Sequence, residues 1–189
     1  MSDGFNADSW FVSVTDPILS ALLDEIRRPS DLMVIRGDRM SVRNSNRTRS
    51  AMNVNRRFVG MESPITVSGG GRSYLAHCHE RERARLLALV SNLDERRIVL
   101  EEIKRTRERG YAVRDITVPP RVGTIAVPVF AGHSLICTLN CIYLPNATSA
   151  AEVADRCLPA LNAAAEQIGR TYGERQPARA FPRQRSIKG

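Results

Sequence analysis

The feature that most constrains this chain is a succession of three extended runs with no helix between them. "YAVRDITV" comes first, "VGTIAVPVF" follows Pro119-Pro120, and "SLICTLNCIYL" follows a turn at Gly132. Helical patterns precede and follow this block. That order predicts one α/β (α+β) domain with a mostly antiparallel sheet rather than a doubly wound parallel one. The third run is the most informative. Its side chains alternate between faces. Leu135, Cys137, Leu139, Cys141 and Tyr143 form one face, suited to packing against helices. Ile136, Thr138, Asn140 and Ile142 form the other, which is apolar with two polar groups. A buried Asn needs partners, and either backbone groups or a ligand can supply them.

Around this block the spacing predicts helices. Asp16 as N-cap and Pro17 at the first helical position start one, carried by Leu19, Leu22, Leu23 and Ile26 and ended by Pro29. A hairpin follows, turning at Arg36-Gly37-Asp38, then an irregular polar stretch and an extended segment from Phe58 to Val67. Helices are expected at Arg72–His77, Glu80–Val90 and Asp94–Arg109, the last stopped by Gly110. The final helix opens on a capping box, Ser149 with Glu152, and runs to about Tyr172 before Gly173.

"ESPITVSGGGRSYLAHC" is the segment with most functional promise. Three glycines lead into a helix, and a ligand can approach a glycine backbone closely. The first N–H groups of a helix are unpaired and carry the positive end of its dipole, so a carboxylate can sit there without a catalytic residue. A plain flexible turn is the other reading.

Known chemical motifs are missing. "GGGRS" lacks P-loop spacing, and there is no G-x-G-x-x-G and no G-x-S-x-G. His77 and His79 are too close in sequence to share a helix face, and no metal site is expected. No cofactor is implied. Cys78, Cys137, Cys141 and Cys157 sit in apolar contexts without a C-x-x-C pair, which predicts buried reduced thiols. No apolar run reaches about 18 residues, and the acidic start lacks a signal-peptide n-region, so a cytoplasmic protein is expected. The net charge of +8 invites a nucleic-acid reading. Much of it lies in Arg36–Arg57 and in a tail without apolar period, and no DNA-reading motif accompanies it.

Four segments in order resemble the effector-binding domain of the IclR family of bacterial transcriptional regulators. They are "MESPITVSGGGRSYLA", "EEIKRTRERGYAVRD", "VGTIAVPVF", and "LNCIY" followed by "LPALNAAAEQIG". The "LNCIY" ending is most similar to the subgroup that activates 3-hydroxyphenylpropionate catabolism. The resemblance implies a GAF/profilin-like fold: a curved, mostly antiparallel sheet with helices on one face and an effector pocket in the other. It divides the chain into a linker-helix region with the first helix (1–28) and the effector-binding domain (29–173), and the Pro-, Gln- and Arg-containing tail without apolar period (174–189) is expected to be disordered. The resemblance also implies that DNA is bound only through an N-terminal winged helix-turn-helix outside this chain.

By position, the family's pocket residues fall on Gly69, Gly70, Arg114, Val122, Thr124, Asn140 and Ile142, and Ser68 and Gly71 flank the glycines. Arg114 stands where some relatives have Asp, and Asn140 and Ile142 replace two serines. These departures favour an aromatic carboxylic acid over a small keto acid. The expected function is ligand sensing without catalysis, as a homodimer or homotetramer, with Trp10 and Phe11 offering apolar surface for association. An enzyme or a stand-alone small-molecule-binding protein on the same fold is the alternative.

Overall fold

The computed structural model describes residues 3–52 and 58–175. Its hairpin forms where expected: β1 (Ser30–Arg36) and β2 (Arg39–Ser45) pair antiparallel. Gly37 supplies the left-handed turn at φ 62°. β3 (Glu62–Pro64), β4 (Ala112–Val113), β5 (Gly123–Ala131) and β6 (Ser134–Tyr143) complete one sheet of order β3-β2-β1-β6-β5-β4. Every pairing in it is antiparallel.

Two predicted extended segments are shorter than expected because turns intervene. The Pro64 carbonyl accepts the N–H groups of Val67 and Ser68 at 3.2 and 3.1 Å, ending β3. The Asp115 carboxylate accepts the N–H and hydroxyl of Thr117 at 3.0 and 2.6 Å, an Asx-type turn that stops β4.

The helices are α1 (Asp3–Ile26), α2 (Gly69–His77), α3 (Glu80–Ala88), α4 (Leu93–Arg109) and α5 (Ala150–Arg175). α4 follows its signals, and α5 starts on its capping box but runs through Gly173, expected to end it, to Arg175. Gly110 ends α4 in the left-handed conformation, and Ser149 and Glu152 bond reciprocally at the start of α5. α1 corrects the sequence reading. It runs through Pro17, and Asp16 pairs with Arg49 at 2.6 Å instead of capping. Its apolar stripe of Phe11, Ile18, Leu19 and Leu22 is continuous with the core, and that burial offsets the hydrogen bond lost at proline. Trp10 and Phe11 pack edge-on to Tyr172, at 5.3 and 6.3 Å between ring centres, so they are not free for association.

A further correction concerns the sheet faces. Helices lie on both. α1 and α5 cover a core that includes Leu32, Val127, Leu139, Leu161 and Ile168. α2, α3 and α4 enclose a second core around Met33, Met40, Leu75, Leu86 and Ile103. The expected open pocket face is therefore roofed by α2. Strand alternation also breaks at a bulge between Val129 and Phe130, where Cys137 and Leu135 are successive partners. The extra residue moves Ile136 to the α1–α5 core and Leu135 against the other, the reverse of simple alternation.

The four cysteines are free and buried. No helix among the described residues is long and apolar enough to cross a membrane. The basic tail beyond residue 175 and residues 53–57 of the arginine-rich stretch lie outside the described residues.

Candidate functional site at the start of α2

The three glycines are not a turn ahead of a helix, as the sequence suggested; they are its first turn. Ser68 caps it, its hydroxyl accepting the Gly71 N–H at 3.0 Å. Each glycine has a separate steric reason. A Cβ on Gly71 would lie 2.2 Å from the Ile65 carbonyl oxygen, so the turn after β3 leaves no room for a side chain. A Cβ on Gly69 would lie 2.4 Å from Thr124 Oγ1 of β5. One on Gly70 would lie 2.8 Å from Thr138 Oγ1 of β6 and 2.9 Å from Met33 Sδ of β1. The helix entrance thus rests directly on three central strands. Among the described residues, no acceptor is recorded for the Gly69 and Gly70 N–H groups.

The sheet beneath presents polar groups. Met33 pairs with Thr138, Asp31 and Ala126 with Asn140, and Thr124 with Ile142, so these side chains share one face. Thr138 is fully buried and Thr124 nearly so, and neither hydroxyl has a partner among the described residues. The Asn140 Oδ1 accepts the Asp31 N–H at 2.9 Å. Its Nδ2 donates to Met33 Sδ at 3.5 Å, and a thioether is a weak acceptor. Half of the Asn140 amide is therefore structural and half poorly served. The Asp31 carboxylate is satisfied elsewhere, by Ser45 Oγ at 2.7 Å and a two-pronged contact from Arg47 at 2.9 and 2.5 Å.

Arg114 closes the third side. Its N–H donates to the Thr124 carbonyl at 3.1 Å, which sets it beside Gly69. One terminal nitrogen donates to the Val118 and Pro119 carbonyls at 3.3 and 3.2 Å, while Nε has no partner among the described residues. Burial lowers its pKa from the usual guanidinium value, Asp115 works the other way, and the group stays cationic. Arg72 is a brace: it donates to the Thr66 and Val113 carbonyls at 2.7 and 3.1 Å and fixes α2 to β4. Asp115 beside it is held below the ordinary carboxylate pKa, first by the Thr117 hydroxyl and further by its N–H and Arg72.

Of the predicted residues, Gly69, Gly70, Arg114, Thr124 and Asn140 come together, with Ile142 fully buried opposite Thr124. Ser68 and Gly71 shape the entrance. Val122 is half-buried on the turn after the Pro119-Pro120 bond, with its N–H on the Pro120 carbonyl at 2.8 Å. No recorded contact joins it to the entrance. The space assigned to a carboxylate beside Gly70 holds Met33 Sδ and Thr138 Oγ1. Sequence reasoning missed Met33 altogether, and its only signal was its place in the hairpin strand. An open cleft of about 580 Å³, lined by Ile116, Thr117, Arg121, Pro145 and Asn146, adjoins the loop that Arg114 holds. Among the described residues no His, Cys, Asp and Glu cluster could hold a metal ion.

Residues 10–170 match the family model described as the C-terminal domain of the bacterial transcriptional regulator IclR. Similar folds occur in a transcriptional regulator from Rhodococcus sp. RHA1, at 18% identity and TM-score 0.74, covering 87% of this chain and 68% of that one. The IclR protein of Thermotoga maritima is similar at 19% and 0.73, covering 86% and 68%. The C-terminal domain of the E. coli regulator KdgR is similar at 19% and 0.71, covering 86% and 98%.

Proposed function

The chain belongs to the IclR family of bacterial transcriptional regulators, to whose C-terminal domain it corresponds, and on that premise we propose that it senses a small carboxylic acid at the entrance of α2. The observation that carries this reading is the convergence of unpaired buried donors. The Gly69 and Gly70 N–H groups and the Thr124 and Thr138 hydroxyls lie together at the helix entrance, beside the Asn140 Nδ2 that meets only the Met33 sulfur. Each such group costs stability when left without a partner. A carboxylate offers two oxygens with about four acceptor positions, and the site lies at the positive end of a helix dipole.

The preferred effector is an aromatic acid of the hydroxyphenylpropionate type, in keeping with the likeness to regulators of 3-hydroxyphenylpropionate catabolism. Its ring would lie toward Ile142 and Val122, and its carboxylate at the glycines. Occupancy would shift a cytoplasmic homodimer or homotetramer between arrangements that space its DNA-binding domains differently. Apolar side chains left exposed on α4 and on the link before it, Leu89, Leu93 and Leu100, supply surface for that association.

Calorimetry against phenylpropionates, benzoates and short keto acids tests the reading. Saturable binding of phenylpropionates, weakened by Arg114→Met, is expected. Binding of keto acids alone would contradict the aromatic assignment. Light scattering at tens of micromolar that shows only monomer would contradict the assembly.

A further inference from the structure

We infer that Met33 is a displaceable plug: its thioether occupies the position a ligand's head group takes, and entry to the site requires that side chain to rotate away. The inference rests on the site proposed above and adds what controls access to it.

Three observations converge on Met33. Its Sδ lies 2.9 Å from where a Cβ on Gly70 would be, so the side chain packs between the α2 entrance and the sheet. The same sulfur takes the Asn140 Nδ2 donor at 3.5 Å. It offers that amide only a weak acceptor, and it shields Thr138, its cross-strand partner, without bonding the hydroxyl. Met33 satisfies packing and leaves the polar groups waiting.

The backbone around it is also irregular. The β1–β2 ladder shifts register between Leu32 and Met33, where Arg43 is the additional residue in β2. Bulges of this kind re-aim a side chain and are concentrated beside functional sites. Met is suited to the task, since it is unbranched and has three rotatable bonds. A β-branched residue here would be held in one rotamer.

If displacing Met33 subtracts from binding, shortening it should strengthen binding by removing that cost. Met33→Ala and Met33→Val in the full chain provide two independent shortened variants, each checked for a cooperative thermal transition. Met33→Leu keeps the volume. Two probes are used, 3-phenylpropionate and phenol. Phenol is uncharged at neutral pH and reports access without relying on a carboxylate site. The expected result is phenol affinity raised about tenfold or more in the shortened variants, with Met33→Leu close to wild type. 3-Phenylpropionate should associate faster by a similar factor. Any folded shortened variant that binds phenol no more tightly than wild type overturns the plug. If wild type binds 3-phenylpropionate nonetheless, the acid site stands without it. If phenol gains and no acid binds, the plug stands and the carboxylate reading falls.

Discussion

A hydroxyl without a partner in a dry interior destabilises the fold that contains it, and Thr138 carries one at full burial. Thr138→Val should therefore raise stability by about 1 kcal/mol, seen as a higher midpoint in urea, while weakening acid binding about fivefold. A loss of both, or a gain of both, would mean that the hydroxyl has no reserved partner. Asn140→Ala has a different signature. It removes the acceptor of the Asp31 N–H as well as the Nδ2 donor, so it should cost about 1–2 kcal/mol of stability in addition to about tenfold in affinity. Equal affinities before and after the substitution would leave Asn140 a purely structural residue. Strand alternation alone put Thr138, Asn140 and Ile142 on one face, and the structure keeps them there. It misplaced Ile136, because a bulge is set by how two strands pair and leaves no mark in one strand's pattern. Met33 stayed hidden for the same reason: its opposition to Thr138 is a matter of register across 105 positions of chain.

Among the elements, α2 departs furthest from local propensity. Glycine is a poor helix residue, and three in a row read as a turn. The helix nonetheless begins at Gly69, since only a backbone without side chains fits between the β3 turn and the sheet. The glycines should differ in tolerance. Gly71→Ala sets a Cβ against the Ile65 backbone, which cannot move aside, and should cost about 3 kcal/mol. Gly70→Ala meets the ends of the Met33 and Thr138 side chains and should cost less, about 1 kcal/mol. Urea unfolding of both variants checks the order, and equal costs would contradict the packing described. α4 and α5 were legible for the opposite reason. Their caps, Gly110, Ser149 and Glu152, act within a few residues, so the signal and the structure are both local.

At the scale of the whole molecule, the two cores divide the labour. The α1–α5 side is mostly apolar, and among the described residues Ser30 Oγ is its buried donor without a partner. The α2 side joins a helix entrance, three strands and Arg114 around groups that want an anion. The sequence foretold an antiparallel α/β sheet flanked by helices, but not that α2 would roof the pocket face, since layer order depends on contacts between distant elements. The central claim is that this roof is the ligand site. Selective ¹⁵N labelling of glycine tests it most directly, because the 12 glycines give few amide signals and two of them line the proposed site. On titration with 3-phenylpropionate, the Gly69 and Gly70 signals should move most, in proportion to occupancy, while Gly37, Gly132 and Gly173 stay in place. Saturable binding that leaves Gly69 and Gly70 unmoved and shifts Gly132 and Gly173 instead would put the ligand in a second open cleft, lined by Phe130, Gly132, Gly169 and Gly173 beside α5, and contradict the account.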